Sequence, residues 1–173
     1  TLASPRDAMA AGIAMVHQEL AFCPDLSVAE NLCMGRYPRR FGFLLDKKEM
    51  ERRADKLLSA IGVNLDVRLP MRELSTAHAQ LAQIAAAVGT DPRILIFDEA
   101  TSSLDYESER IVQRNMRRIV KDRTVIIVAH RLAAVRGCDR IVGMTDGRIV
   151  EVGTHTELVR RPGGLYAYPW GRP

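Results

Sequence analysis

The chain has 173 residues, 47% hydrophobic and 27% charged, with a formal net charge of +4. At 19.3 kDa it can bury one or two modest cores, and no run approaches the roughly 18 apolar residues of a transmembrane helix. The start lacks a basic stretch followed by an apolar one, so no signal peptide is read. Cys23, Cys33 and Cys138 are odd in number and widely spaced, which points to reduced thiols in a cytoplasmic setting and not to a disulfide framework. Basic residues are scattered, and many sit beside acids, as in Asp46-Lys47-Lys48-Glu49-Met50-Glu51-Arg52-Arg53. That is the pattern of a solvated helix face, so no nucleic-acid partner is expected.

In chain order, Gly12-Ile13-Ala14-Met15-Val16-His17 reads as a strand, and Gln18 follows it. Residues from about 19 to 90 read mainly as helix. Ser27-Val28-Ala29-Glu30 is a capping box opening a short helix. Asp46-x-x-Glu49 opens a longer one, in which Met50, Ala54, Leu57, Leu58 and Ile61 recur at helical spacing before Gly62 stops it. A third helix runs from Ser75 through Leu81, Ile84, Ala85 and Val88 to about Gly89, ahead of Pro92. After residue 92 strands and helices alternate: strand 93–97, helix about 106–120, strand 124–129 and a short helix near 131–136. Strands around Arg140–Met144 and Arg148–Val152 flank an Asp146-Gly147 turn, and Thr154-x-x-Glu157 caps a last helix. The tail from Gly163 is expected to fray. The order implies an α/β fold divided as 1–18, 19–91, 92–162 and 163–173.

The chemistry concentrates at strand ends. Ile94 to Phe97 delivers two adjacent carboxylates, Asp98 and Glu99, and a second apolar run, Thr124 to Ala129, ends in His130. Ligands of open α/β sheets bind just outside the carboxyl ends of the strands, where Asp98 would lie near the metal of a Mg²⁺-nucleotide and Glu99 near an attacking water. A thiol- or imidazole-based metal site is not expected, because no C-x-x-C or H-x₃-H spacing exists. Nor is a serine hydrolase, since G-x-S-x-G is absent.

These motifs resemble those of the ATP-binding cassette (ABC) ATPases. Gln18 matches the Q-loop, and Leu74-Ser75-Thr76-Ala77-His78-Ala79-Gln80 loosely matches the signature. Ile94 to Glu99 matches Walker B, Ser102-Ser103-Leu104-Asp105 the D-loop, and His130 the H-loop. The resemblance spans about Gly12 to Tyr168. It implies a P-loop NTPase-like three-layer core with a helical subdomain, ATP and Mg²⁺ as cofactors, and a site shared between two ATPase domains, like or unlike. Asp98 would hold Mg²⁺ through coordinated water and Glu99 would be the general base. Gln18 would contact metal or water and report on a transmembrane permease subunit, and His130 would bond the γ-phosphate. Asp105 would act across the dimer interface, and Ser75, at a helix start, would grip the opposite subunit's nucleotide. Peripheral placement on the inner face of the cell membrane follows.

Two departures from the family pattern carry expectations of their own. No G-x-x-x-x-G-K-[ST] string, the phosphate-cradling loop, occurs in the 173 residues, which reads as loss of the first strands and the P-loop. Such a loss should expose a sheet edge or face and favour aggregation. The signature has Thr76 and Ala77 where the family has glycines, and His78 at the glutamine position. Residues 12 to about 104 resemble ribose- or galactose-type importer ATPases, whereas those from about Asp105 resemble haemolysin-type exporters. The implied function is the ATP-hydrolysing component of a transporter, with carbohydrate import as the finer expectation. The alternatives are a non-catalytic interaction module or a defunct hybrid.

Overall fold

The computed structural model describes residues 4–17, 21–98, 114–116, 118–129 and 132–167. The chain divides into two compact units, 1–128 and 129–173. In the first, α1 (Pro5–Ala10) starts at Ser4, whose hydroxyl accepts the Asp7 N–H at 3.2 Å. The Ser-Pro start supplies both a cap and a residue suited to the first turn.

The sheet of this unit has three parallel strands, β1 (Ile13–Val16), β4 (Ile94–Asp98) and β5 (Thr124–Val128), in the order β1-β4-β5. Register is set by Ile13 opposite Ile94 and Ile94 opposite Thr124. Alternation decides what each face meets: Ala14, Val16, Leu95 and Phe97 are buried in the main core, with Val125 and Ile127 packed against it. On the opposite face Met15, Ile126 and Val128 are 42%, 48% and 46% exposed.

The helical part packs on the buried side through α4 (Thr76–Val88), beside α2 (Val28–Leu32) and α3 (Lys47–Ala60). Its expected signals all form. Ser27 and Glu30 complete a reciprocal capping box, and Asp46 accepts the Glu49 N–H at 3.0 Å. Helix α3 ends in a Schellman motif: the Val63 N–H reaches the Leu58 carbonyl and the Gly62 N–H the Ser59 carbonyl, both at 2.9 Å. Gly62 takes φ +77° there, a value that favours glycine. One element departs from the helical expectation. Arg39–Arg40 (β2) and Leu44–Leu45 (β3) form a small antiparallel hairpin, because Phe41 and Gly42 both adopt positive φ and reverse the chain.

The second unit holds α5 (Leu132–Val135), β6 (Ile141–Thr145), β7 (Arg148–Gly153) and α6 (His155–Val159). Asp146 (φ 50°) and Gly147 (φ 73°) make the two-residue turn between the antiparallel strands. Thr154 and Glu157 form a second capping box, which holds the Glu157 carboxyl below its usual range through the Thr154 N–H. A small core gathers Ile141, Leu158 and Tyr166. The tail, expected to fray from Gly163, is anchored as far as Tyr166. Its backbone N–H donates to buried Glu151 at 2.6 Å, and its hydroxyl lies 2.9 Å from His155 Nδ1. An edge-to-face ring contact with His155 adds to this.

Candidate active site

Parallel strands bring their carboxyl ends to one edge. Val16 pairs with Phe97 and Phe97 with Ile127, so the chain leaves β1, β4 and β5 within one residue of a common line. Asp98 closes β4, half-buried, opposite Val128. Of the expected site residues, Asp98 and Ser75 are described. Gln18, Glu99, Asp105 and His130 lie outside the described residues.

Ser75 is the N-cap of α4, as its position in the motif implies. The approach to it is fastened from outside the helix. Met71 and Arg72 donate backbone N–H groups to Leu26 and Pro24, and Val28 and Ala29 donate to Leu69 and Val67. Arg72 and Asp25 also pair by side chain. The Ser75 hydroxyl accepts the His78 N–H at 3.3 Å and lies 2.8 Å from His78 Nδ1. With Nδ1 unprotonated the hydroxyl donates to the ring; with Nδ1 protonated it accepts. In the first case its one O–H donor is spent on the ring; in the second the donor stays available to an anion. With Nδ1 unprotonated, the expected anion grip of Ser75 therefore competes with a bond made by the residue that departs from the family pattern. An i, i+3 pair of hydroxyl and imidazole at a helix start is a signal the sequence does carry.

The glycine replacements differ in environment. Thr76 is exposed, while Ala77 is 1% exposed and so directs its added carbon inward. Gln80, one turn on, is equally buried, with no partner for Nε2 among the described residues.

Against a Mg²⁺-nucleotide, the fit is partial. A strand-end carboxylate such as Asp98 is a hard oxygen donor of the type Mg²⁺ takes singly or in pairs while retaining waters. No cluster of three or more His, Cys, Asp or Glu suited to a metal occurs among the described residues. The phosphate-cradling motif is absent from the sequence. A groove of about 640 Å³, with Ala21 and Phe22 in its lining, opens between α2, α3 and α4. Phe22, Leu32, Met34, Leu57 and Ala86 make it apolar, and Arg36, Arg53 and Lys56 add charge.

A three-stranded parallel sheet with an acid at its carboxyl edge and a helical layer entered through a helix-capping serine fits an ABC-type ATPase fold. The ABC transporter family model matches residues 3–102, more than half of the chain, and the chain belongs to that family. It is 58% identical over 95 residues to the toxin RTX-I translocation ATP-binding protein of Actinobacillus pleuropneumoniae, covering 55% of this chain and 13% of that protein. The alpha-hemolysin translocation ATP-binding protein HlyB of Escherichia coli O157:H7 is likewise 58% identical over 95 residues, 55% of this chain and 14% of its own length. The match thus spans about one seventh of these relatives. Among solved structures, a bacterial Atm1-family ABC exporter with ATP bound superposes with TM-score 0.69 at 28% identity, covering 94% of this chain and 28% of that one. The cbiO1 protein of Clostridium perfringens, at 24% identity and TM-score 0.71, covers 89% of this chain and 62% of its own, and supports the fold.

Proposed function

We propose that this chain is the hydrolytic portion of the ATP-binding component of an ABC exporter. The observation that carries this is the common carboxyl edge of β1, β4 and β5, with Asp98 at its centre. Gln18 and Glu99 follow two of those strand ends in sequence, and His130 comes two residues after the third. In this reading Asp98 would hold Mg²⁺, Glu99 would accept the proton of an attacking water, and His130 and Gln18 would steady the phosphate and metal. Asp105 and Ser75 serve the partner ATPase domain. Bound Mg²⁺-ATP supplies the phosphoryl group and the charge that these side chains act on. Toxin-translocating relatives favour export, in place of the carbohydrate import that the first half of the chain suggests. The apolar groove lined by Phe22, Leu32 and Leu57 suits a transmembrane permease subunit, which would hold the domain at the inner membrane face.

A complete nucleotide site needs a phosphate cradle that these 173 residues do not contain. The uncovered face bearing Met15, Ile126 and Val128 suits packing against further structure of the same protein. The deciding experiment is to read the coding DNA upstream of Thr1 and measure ATP turnover by the protein it encodes. An in-frame G-x-x-x-x-G-K-[ST] with Mg²⁺-dependent turnover is expected; no such motif and no turnover overturns the reading. The non-catalytic alternative is favoured by one observation, the engagement of Ser75 with His78. It predicts permease binding with no loss on Glu99→Gln and no nucleotide dependence.

A further inference from the structure

We propose that the β2–β3 hairpin is a membrane-contacting element, placing Phe41, Phe43 and Leu44 in the interface of an anionic phospholipid bilayer while the flanking cations engage headgroup phosphates. Phe41 and Phe43 are 76% and 74% exposed, and Leu44 and Leu45 about half. These four lie within five consecutive residues, interrupted only by Gly42. Isolated apolar residues on a surface are ordinary, but a cluster of large ones at a turn tip marks an interaction surface.

The tip is also held against its own preference. Phe41 sits at φ 53°, a region a bulky side chain rarely occupies. Such a residue persists only where its surroundings impose it, and is a pointer to function. The imposing contacts are visible: the strands pair Arg39 with Leu45 and Arg40 with Leu44. The Asp46 N–H closes the base on the Pro38 carbonyl at 2.9 Å, and Asp46 then caps α3. The hairpin is thereby fixed to the start of a fourteen-residue helix.

Charge complementarity selects the occupant. Between residues 36 and 48 stand Arg36, Arg39, Arg40, Lys47 and Lys48, all exposed, against one acid, Asp46, which is half-buried and bonded to the Glu49 N–H. This stretch carries an excess of four positive charges, equal to that of the whole chain. Arg39 and Arg40 form no ion pair among the described residues. The Arg40 guanidinium lies over the Phe41 ring, 5.3 Å from its centre, which leaves cation and aromatic side by side at the tip. Apolar side chains ringed by Arg and Lys are the pattern of interfacial membrane binding, in which each cation adds to the attraction of acidic headgroups.

Vesicle flotation tests this without nucleotide or permease, so its failure leaves the ATPase reading intact. The chain is expected to float with phosphatidylcholine–phosphatidylserine vesicles, weakly or not at all with phosphatidylcholine alone, and less as salt rises. Phe41→Gly with Phe43→Ser should lower the affinity by about tenfold or more. Phe41→Gly also relieves the backbone, so α3 helicity by circular dichroism should be kept. Arg39→Gln and Arg40→Gln should each cost about fivefold, whereas Arg160→Gln with Arg161→Gln should cost little. No flotation with the acidic vesicles, or equal flotation of the phenylalanine variant, overturns the proposal. So does a photo-crosslinker at position 43 that yields protein adducts and no lipid adduct in cells.

Discussion

The hydroxyl of Ser75 lies 2.8 Å from Nδ1 of His78 while accepting that residue's backbone N–H at 3.3 Å. A residue expected to face a nucleotide phosphate is thus engaged by its own helix. Glutamine at position 78, the family residue, lacks a ring nitrogen in that place. In the full-length protein carrying Glu99→Gln, His78→Gln should strengthen ATP-driven dimer formation. The gain should be about threefold to tenfold, the worth of one hydrogen bond. Sedimentation with and without ATP reads this; an unchanged dimer constant would show that the Ser75–His78 bond does not limit phosphate contact.

The same serine has a structural role that can be separated from the first. Ser75→Ala removes the side-chain cap of α4 and should cost about 1 kcal/mol in chemical denaturation. His78→Ala leaves the cap bond to the backbone N–H in place and should cost less. Equal losses would mean that the imidazole, not the backbone bond, supplies the stabilisation.

Glu99→Gln in the full-length protein should abolish ATP turnover while ATP affinity stays within about twofold, since a general base acts on the attacking water and not on binding. Equilibrium binding beside single-turnover rates makes the separation. Parallel loss of both would remove Glu99 from that role.

Acid should loosen the helical part. Hydrogen bonds from Arg52, then Arg53, push the Glu49 carboxyl down to about 2, and Ser27 holds Glu30 below its usual range. A carboxyl with a depressed folded pKa contributes stability that is complete above its unfolded value, near 4.5. That contribution is lost as pH falls toward the folded value. Denaturation midpoints should therefore decline between about pH 4.5 and 2, more shallowly for Glu49→Gln and at high salt, because the Arg pairs are exposed. A midpoint that does not move over this range contradicts the assignment.

Much of this was legible in the chain itself, for local reasons. Capping at Ser27, Asp46, Ser75 and Thr154 depends on residues three apart, and each forms. The strands around Leu95 and Ile127 are continuous apolar runs, and the Asp146-Gly147 turn states its own conformation. The β2–β3 hairpin was hidden because its turn places a phenylalanine at positive φ, against that residue's propensity. Tyr166 was hidden because its anchor, Glu151, lies fifteen residues away and is buried only in the folded unit. At the site, the order of motifs pointed to the strand ends. The i, i+3 spacing of Ser75 and His78 permits their bond, and the side-chain rotamer of the folded helix makes it.

The uncovered sheet face offers a last prediction with two opposite arms. Met15 pairs with Ile96 and Ile96 with Ile126, so one row of apolar side chains crosses the sheet, half of each end in water. As an isolated chain the protein should self-associate through that row, giving light scattering that rises with concentration. Ile126→Thr with Val128→Thr should suppress the scattering. Both sites are exposed and threonine suits a strand, so stability should change by no more than about 0.5 kcal/mol per site. In a longer protein that covers the face, the same pair should cost about 1 to 3 kcal/mol per site, because hydroxyls would then be buried against apolar neighbours. A substitution that is neutral in the short chain and damaging in the longer one identifies the face as an internal packing surface. Equal, small effects in both would mark it as open to solvent in the complete protein.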